Sequence, residues 1–201
     1  MVCYTRPKMR RSYEDDKMNP LPDCILVRPK RFGDHRGFFA ETYSRQKYAA
    51  LGIEAEFVQD NHSLSVDMGT VRGLHFQAPP RAQGKLVRCG RGSIYDVAVD
   101  IRAGSATYGA WVGYTLSAEN GHQLYVPPGF AHGFMTLEPD SEIIYKCTDY
   151  YAPEAEGSLL WNDPDIGIDW PLDVQAILSE KDAQAPRLKD FKSPFVTEEA
   201  P

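Results

Sequence analysis

Short segments in which apolar and polar residues alternate run through most of the chain. In SIYDVAVDIR, residues 93–102, the apolar side chains of one face recur at every second position: Tyr95, Val97, Val99 and Ile101. This period of two is typical of a strand and not of a helix, whose period is 3.6. Comparable segments are VRGLHFQ, GKLVRC, AWVGYTLS, HQLYVP and EIIYKCTDYY, separated by glycine and proline clusters such as APPRAQG and PPGFAHG. The pattern predicts a β sandwich or barrel.

Helical patterns are local. SRQKYAALGI has helical composition, with Ser44 as a candidate N-cap and Gly52 as a candidate C-cap, and PLDVQAILSEKDA predicts one or two further turns near the C-terminus. No internal repeat or linker is visible. We therefore predict a single domain over residues 23–192, preceded by an N-terminal arm (1–22) and followed by a frayed tail (193–201).

The composition excludes several classes of protein. The 201 residues carry 22 basic and 28 acidic side chains, a net charge of -6, which argues against binding to nucleic acids or anionic membranes. The chain has no apolar run of membrane-spanning length, and its N-terminus lacks a signal peptide, so we expect a cytoplasmic protein. Its four cysteines are scattered without a CxxC motif, which indicates reduced structural thiols.

Two histidines lie in motifs typical of the cupin barrel. His132 ends GHQLYVPPGFAH, which has the glycine, proline and glycine spacing of the second cupin signature. His75 lies in GTVRGLHFQ, but Gln77 occupies the position of the second histidine of the first signature. The predicted fold class is therefore mainly β, a cupin-type antiparallel β sandwich or barrel (jelly roll) with a few short helices. Because Lys85 lies where a metal-binding carboxylate is expected, and a cation would repel a divalent ion, we predict no metal.

Strand periodicity also brings three reactive side chains towards one interior. His75, Lys85 and Tyr145 each belong to a strand face that could point into the barrel. A histidine base, a cation for a developing oxyanion and a phenol that returns a proton are suited to abstracting a proton next to a carbonyl. The alternative remains open that Tyr145 is a core aromatic residue and Lys85 a solvated one.

A series of longer strings resembles the dTDP-4-dehydrorhamnose 3,5-epimerase family. The resemblance covers residues 26–188 and rests on FGDHRGFFAETY, QDNHSLS, GTVRGLHFQAP, QGKLVRCGRGSIYDVAVDIR, YGAWVGYTLSAEN, LYVPPGFAHGF, EIIYKCTDYYAPEAEG, WNDPDIGIDWP and LSEKD. It implies epimerisation of dTDP-4-dehydro-6-deoxy-D-glucose at C3 and C5, without a cofactor, because the C4 ketone of the substrate accepts the electrons.

The resemblance also implies roles for individual residues. His75 is expected to be the base and Asp182 the carboxylate that orients it, Lys85 to stabilise the enolate and Tyr145 to deliver the proton. The residues expected to bind the substrate are Arg36, Phe39, Glu41, Gln59, Asn61, Arg72, His132 and Tyr150. Arg36 and Arg72 would hold the diphosphate and Tyr150 would pack on the thymine. For His132, Gln59 and Asn61, purely structural roles remain open.

The same resemblance implies a homodimer, in which the FGDHRGFF segment contributes Arg36, Phe39 and Glu41 to the partner's site. Alternative functions are a one-centre epimerase, a 3,4-ketoisomerase, a cupin that only binds a nucleotide sugar and a metal-dependent oxygenase.

Overall fold

A computed structural model describes residues 19–171 and 174–197. These residues form twelve strands: β1 Ile25–Val27, β2 Arg31–Asp34, β3 Gly37–Ala40, β4 Gln59–Ser65, β5 Val71–Gln77, β6 Lys85–Arg91, β7 Ser93–Asp100, β8 Trp111–Ser117, β9 Gln123–Val126, β10 Phe130–Thr136, β11 Ser141–Cys147 and β12 Glu156–Ser158. Two short helices accompany them, α1 Arg45–Ala49 and α2 Glu180–Ala183, together with 3-10 turns at Pro153–Ala155 and Leu188–Asp190.

Ten of the strands form two five-stranded sheets. Sheet I has the order β1-β9-β6-β11-β4 and sheet II the order β12-β5-β10-β7-β8, while β2 and β3 form a separate hairpin. Every pairing between these strands is antiparallel. The predicted fold class, a mainly β protein of cupin type with a few short helices, is confirmed.

The main core lies between the two sheets. It contains Val87 and Ile143 from sheet I and Ile94 and Ala98 from sheet II, all fully buried. A second apolar cluster covers the outer face of sheet II and includes the opposite face of β7, with Val97 among its members. Both faces of β7 are therefore covered, which explains why its alternating sequence contains apolar residues on either side.

A third cluster covers the outer face of sheet I. Tyr48 of α1 packs there against Leu86 and Tyr125. The helix begins directly after Ser44, as the sequence predicts, although the Ser44 side chain makes no capping hydrogen bond. In contrast, the Ser179 side chain does cap α2, where it accepts a hydrogen bond from the backbone N–H of Asp182.

The two ends of the predicted domain are packed where the structure describes them. Most of the predicted arm, residues 1–18, lies outside the described residues, but Leu21 is only 1% exposed and belongs to the main core. At the other end the structure differs from the expected frayed tail. Phe195 packs against the second cluster, and its carbonyl accepts a hydrogen bond of 2.9 Å from Ala103 N. Burial of that ring holds residues 193–197 on the barrel, while residues 198–201 lie outside the described part.

Candidate active site

A bulge in β5 directs two functional side chains into one cavity. His75 pairs with His132 of β10 and Arg72 pairs with Phe134, so two residues of β5 lie opposite the single residue Gly133. A side chain at Gly73 (φ +127°) would place its Cβ 2.6 Å from the Cα of Gly133. Regular alternation would put Arg72 and His75 on opposite faces, but the bulge lets both line the same cavity.

This cavity lies against both sheets and measures about 510 Å³. Its lining includes Arg72, His75, Lys85, His132, Tyr145 and Asp182. A neighbouring cavity of about 290 Å³ shares part of that lining, His75, Lys85, Tyr145 and Glu156, and adds Gln59 and Asn61. The three residues that strand periodicity singled out therefore face one interior, and Tyr145 and Lys85 are neither simple core residues nor solvated ones.

His75 is hydrogen-bonded to a buried carboxylate. Its Nε2 lies 2.6 Å from Oδ1 of Asp182, a residue that is only 3% exposed and is held by the capped helix α2. Because a carboxylate accepts hydrogen bonds, Nε2 carries the hydrogen and Nδ1 keeps the free lone pair. Burial lowers the pKa of His75 below its usual 6.5; Asp182 opposes this change, and nearby Lys85 adds to it. The imidazole is therefore neutral near pH 7 and able to accept a proton.

Lys85 and Tyr145 belong to the opposite sheet. Burial lowers the pKa of the Lys85 ammonium, and the nearby Cys147, Asp96 and Glu156 oppose that change. Burial raises the pKa of the Tyr145 phenol, as does Cys147, whereas a hydrogen bond from Asn61 and the charge of Arg72 lower it. Tyr145 is thus protonated at neutral pH and holds a proton that it can donate.

His132 forms a second histidine–carboxylate pair. Its Nε2 lies 2.8 Å from Oδ1 of Asp96, which is fully buried on the adjacent strand β7. The other oxygen of Asp96 is buried without a hydrogen-bond partner among the described residues. The pair fixes the ring of His132 at the wall of the larger cavity.

Of the other predicted binding residues, Arg72 lines a cavity and Tyr150 does not. Arg72 lines the larger cavity and is anchored by hydrogen bonds of 3.1 Å from Nε to Ser65 Oγ and from Nη2 to Leu64 O. Tyr150 is 59% exposed and lines neither cavity, whereas the adjacent Tyr151 lines the smaller one.

The hairpin residues lie away from both cavities. Arg36 pairs with Asp34 of the same hairpin at 2.5 Å, and Glu41 pairs with Lys47 at 2.8 Å. Phe39 is 69% exposed. Within one chain, the structure does not bring these three predicted residues to the site.

Glu156, Lys181 and Tyr151 are among the cavity side chains that the sequence analysis did not name. Glu156 and Lys181 form an ion pair of 2.6 Å that closes the wall beside Asp182, and Tyr151 Oη donates to Glu156 at 3.1 Å. Glu156 begins the three-residue strand β12 and Lys181 lies on α2, so neither belongs to a segment with a readable strand period. Both nevertheless fall inside strings that carry the family resemblance, EIIYKCTDYYAPEAEG and LSEKD.

Residues 19–171 and 174–197 contain neither a metal-binding cluster nor a membrane-spanning helix. No group of three or more His, Cys, Asp or Glu side chains is placed to hold a metal ion in these ranges. No helix there is both long and apolar enough to cross a membrane.

Comparison with known proteins identifies the family. A family profile described as dTDP-4-dehydrorhamnose 3,5-epimerase matches residues 18–190. The chain belongs to this epimerase family. The enzyme is thus an isomerase, as the sequence strings predicted.

Individual relatives agree with the profile. The chain is 56% identical over 169 residues to the dTDP-4-dehydrorhamnose 3,5-epimerase of Salmonella typhimurium, covering 84% of this chain and 92% of that protein. The solved 3,5-epimerase of Legionella pneumophila, in complex with dTDP-4-keto-L-rhamnose, is 48% identical with a TM-score of 0.84, covering 89% of this chain and 95% of that one.

The fold also occurs in a one-centre enzyme. A 3'-monoepimerase from Streptomyces bikiniensis, solved with dTDP-quinovose, is 35% identical with a TM-score of 0.78, covering 83% of this chain and 84% of that one. The fold by itself therefore does not decide how many centres are inverted.

Proposed function

We propose that this protein inverts C3 and C5 of dTDP-4-dehydro-6-deoxy-D-glucose to give dTDP-4-dehydro-L-rhamnose, without a cofactor. The observation that carries this proposal is the position of His75 and Tyr145 on opposite sheets of one sandwich, both lining the same cavities. Packed sheets lie about 10 Å apart, which leaves room for a sugar ring between a base on one side and an acid on the other.

Each inversion needs one proton removed and another delivered to the opposite face. His75 Nδ1 removes the hydrogen next to the ketone, and the electrons of the broken C–H bond enter the enolate. The ammonium of Lys85 stabilises the oxygen at C4, where the negative charge develops. Tyr145 then gives its phenolic proton to the carbon from the other side. The resulting phenolate takes up a proton from solvent, and the imidazolium of His75 releases one to solvent.

The substrate is held by polar groups around the same walls. Arg72 lines the larger cavity and its guanidinium is suited to bind the diphosphate, while His132, fixed by Asp96, contacts the sugar. Tyr150 stacks on the thymine, because its exposed ring is free to pack on a base.

The β2-β3 hairpin serves a second copy of the chain. Phe32, Phe38 and Phe39 are 55%, 61% and 69% exposed, an unusual cluster for the surface of a monomer. In the described hydrogen bonds and ion pairs, Arg36 contacts only Asp34 of the hairpin and Glu41 only Lys47 of α1. The enzyme is accordingly a homodimer whose hairpin completes the partner's site.

Subunit mixing tests the dimer directly. R36A and H75A chains are each expected to be inactive, but a mixed dimer has one site with both residues intact. Random exchange of subunits restores about a quarter of the wild-type activity, because half of the dimers are mixed and each has one good site. Continued inactivity after verified exchange contradicts the shared site.

The reaction takes place in the cytoplasm. Cys24, Cys89 and Cys147 are buried free thiols, a state typical of proteins from reducing compartments.

Deuterium labelling tests the reaction itself. The ketosugar is incubated with the enzyme in deuterated water, and the product is examined by NMR. Label and inverted configuration at both C3 and C5 support the proposal. Label at one carbon would establish the one-centre epimerase, which the Streptomyces relative makes the second candidate, and migration of the carbonyl would establish a ketoisomerase.

A further inference from the structure

A chain of side-chain amides leads from the backbone of Tyr151 to the phenol of Tyr145. We infer that Asn61 is a positioning residue that donates a hydrogen bond to Tyr145 in the proton-delivery step, and that Gln59 fixes the orientation of its amide. This inference rests on the proposed function. The family resemblance implied that both amides bind the substrate and left a purely structural role open.

Strand register places the two groups side by side. Asn61 of β4 lies directly opposite Tyr145 of β11, and Gln59 lies opposite Cys147, two positions along the same face. Residues directly opposite in an antiparallel pair have Cβ atoms about 5 Å apart, so the two side chains are neighbours on the same face of the sheet. Asn61 and Tyr145 both line the smaller cavity.

The orientation of both amides is set by the backbone N–H of Tyr151, which can donate a hydrogen bond but cannot accept one. The backbone N–H of Tyr151 donates to Gln59 at 3.0 Å, so the receiving atom is the oxygen Oε1. Gln59 Nε2 therefore faces Asn61 and donates to its Oδ1 at 3.1 Å. The NH₂ of Asn61 lies on the other side of its amide and donates to Cys147 Sγ at 3.5 Å, on the strand that carries Tyr145 directly opposite Asn61. Each amide is fixed by the one before it.

The donor acts when Tyr145 becomes negative. Once the phenolic proton has moved to carbon, the phenolate is half-buried beside the Cys147 thiol, and an N–H donor there stabilises the anion. The hydrogen bond from Asn61 also lowers the pKa of Tyr145, opposing the effect of burial. Proton removal by His75 on the other sheet does not involve Asn61.

Because removal and delivery of the proton use different residues, the ratio of solvent exchange to inversion reports on delivery alone. In deuterated water, a variant that only slows delivery by Tyr145 still exchanges the substrate hydrogens through His75 but returns the deuteron from the same side. We expect N61D, which keeps the acceptor for Gln59 but replaces the donor with a carboxylate oxygen, to slow inversion by about 10- to 100-fold. Exchange at C5 and KM should stay within about threefold of wild type.

Q59E supplies a second, independent perturbation. A carboxylate at position 59 has no donor for Asn61 Oδ1. The Asn61 amide therefore turns its NH₂ towards this carboxylate and away from the phenol. The ratio of exchange to inversion should rise in this variant too. D60N is the matched control, because Asp60 lies between the two amides on β4 but pairs outward with Lys146. It should leave the ratio unchanged.

The outcomes separate this inference from the proposed function. Parallel loss of exchange and inversion in folded N61D, a rise of KM alone, or an unchanged ratio overturns the role of Asn61. If wild-type enzyme inverts neither centre, the proposed function fails instead. Circular dichroism and thermal unfolding of each variant establish that the folded enzyme is being compared.

Discussion

Replacing Asp182 with asparagine tests the histidine–carboxylate pair without changing its shape. When His75 Nδ1 accepts a proton, the new imidazolium is stabilised by the buried carboxylate 2.6 Å from Nε2. A hydrogen bond to a charged group contributes about 1.5–3 kcal/mol, more than a neutral one. The asparagine amide can also donate to Nε2, which moves the ring hydrogen to Nδ1 and blocks the base. Together these losses come to about 2–4 kcal/mol, or a decrease in kcat/KM of about 30- to 1,000-fold.

The pH dependence of kcat/KM in D182N should shift in a defined direction, which a general loss of structure would not produce. The base must be neutral, so kcat/KM of the wild type falls as pH decreases through the lowered pKa of His75, below 6.5. Asp182 raises that pKa, so its removal should move the acid limb to lower pH. The control is D163N, since Asp163 is 1% exposed, accepts from the backbone of Leu188 and lines neither cavity. Activity of D182N within threefold of wild type, or an acid limb that stays in place, would refute this reasoning.

Further predictions concern the enolate, the bulge and the absence of a cofactor. K85M should reduce kcat about 100-fold and slow solvent exchange equally, since both pass through the enolate that the cation stabilises; exchange at the wild-type rate would contradict this. G73A should lower the free energy of unfolding in urea by about 2–4 kcal/mol, because a Cβ there meets Gly133 Cα at 2.6 Å, whereas G33A, with 3.6 Å to the nearest atom, should not. Treatment with EDTA should leave activity unchanged, and a loss that added metal restores would overturn the metal-free reaction.

Much of the fold could be predicted because many strands bury one face, which leaves apolar residues at every second position of the sequence. The alternation in β7 marks one apolar face, and the structure covers that face and also the opposite one, which carries Asp96 and Asp100 among apolar residues. The same period of two correctly brings His75, Lys85 and Tyr145 to one interior, since β5, β6 and β11 are paired within two facing sheets.

The remaining parts of the site depend on a bulge and on elements too short to show a periodic pattern of apolar residues. The bulge at Gly73 brings Arg72 to the same side as His75, and a single glycine in a strand does not specify where the register shifts. Glu156 and Lys181 come from a three-residue strand and a four-residue helix, and meet only through the tertiary fold. Arg36 and Phe39 of the hairpin are exposed in the single chain, and the contribution proposed for them would require a second copy.

The proposed base and acid act from opposite faces of one sugar ring, and the Y145F variant in deuterated water separates their two steps. The variant keeps His75, Asp182 and Lys85, so NMR should show deuterium entering C5 while the configuration at that carbon is retained. H75N should show neither exchange nor inversion. Inversion by Y145F at the wild-type rate, or continued exchange in H75N, would contradict the account.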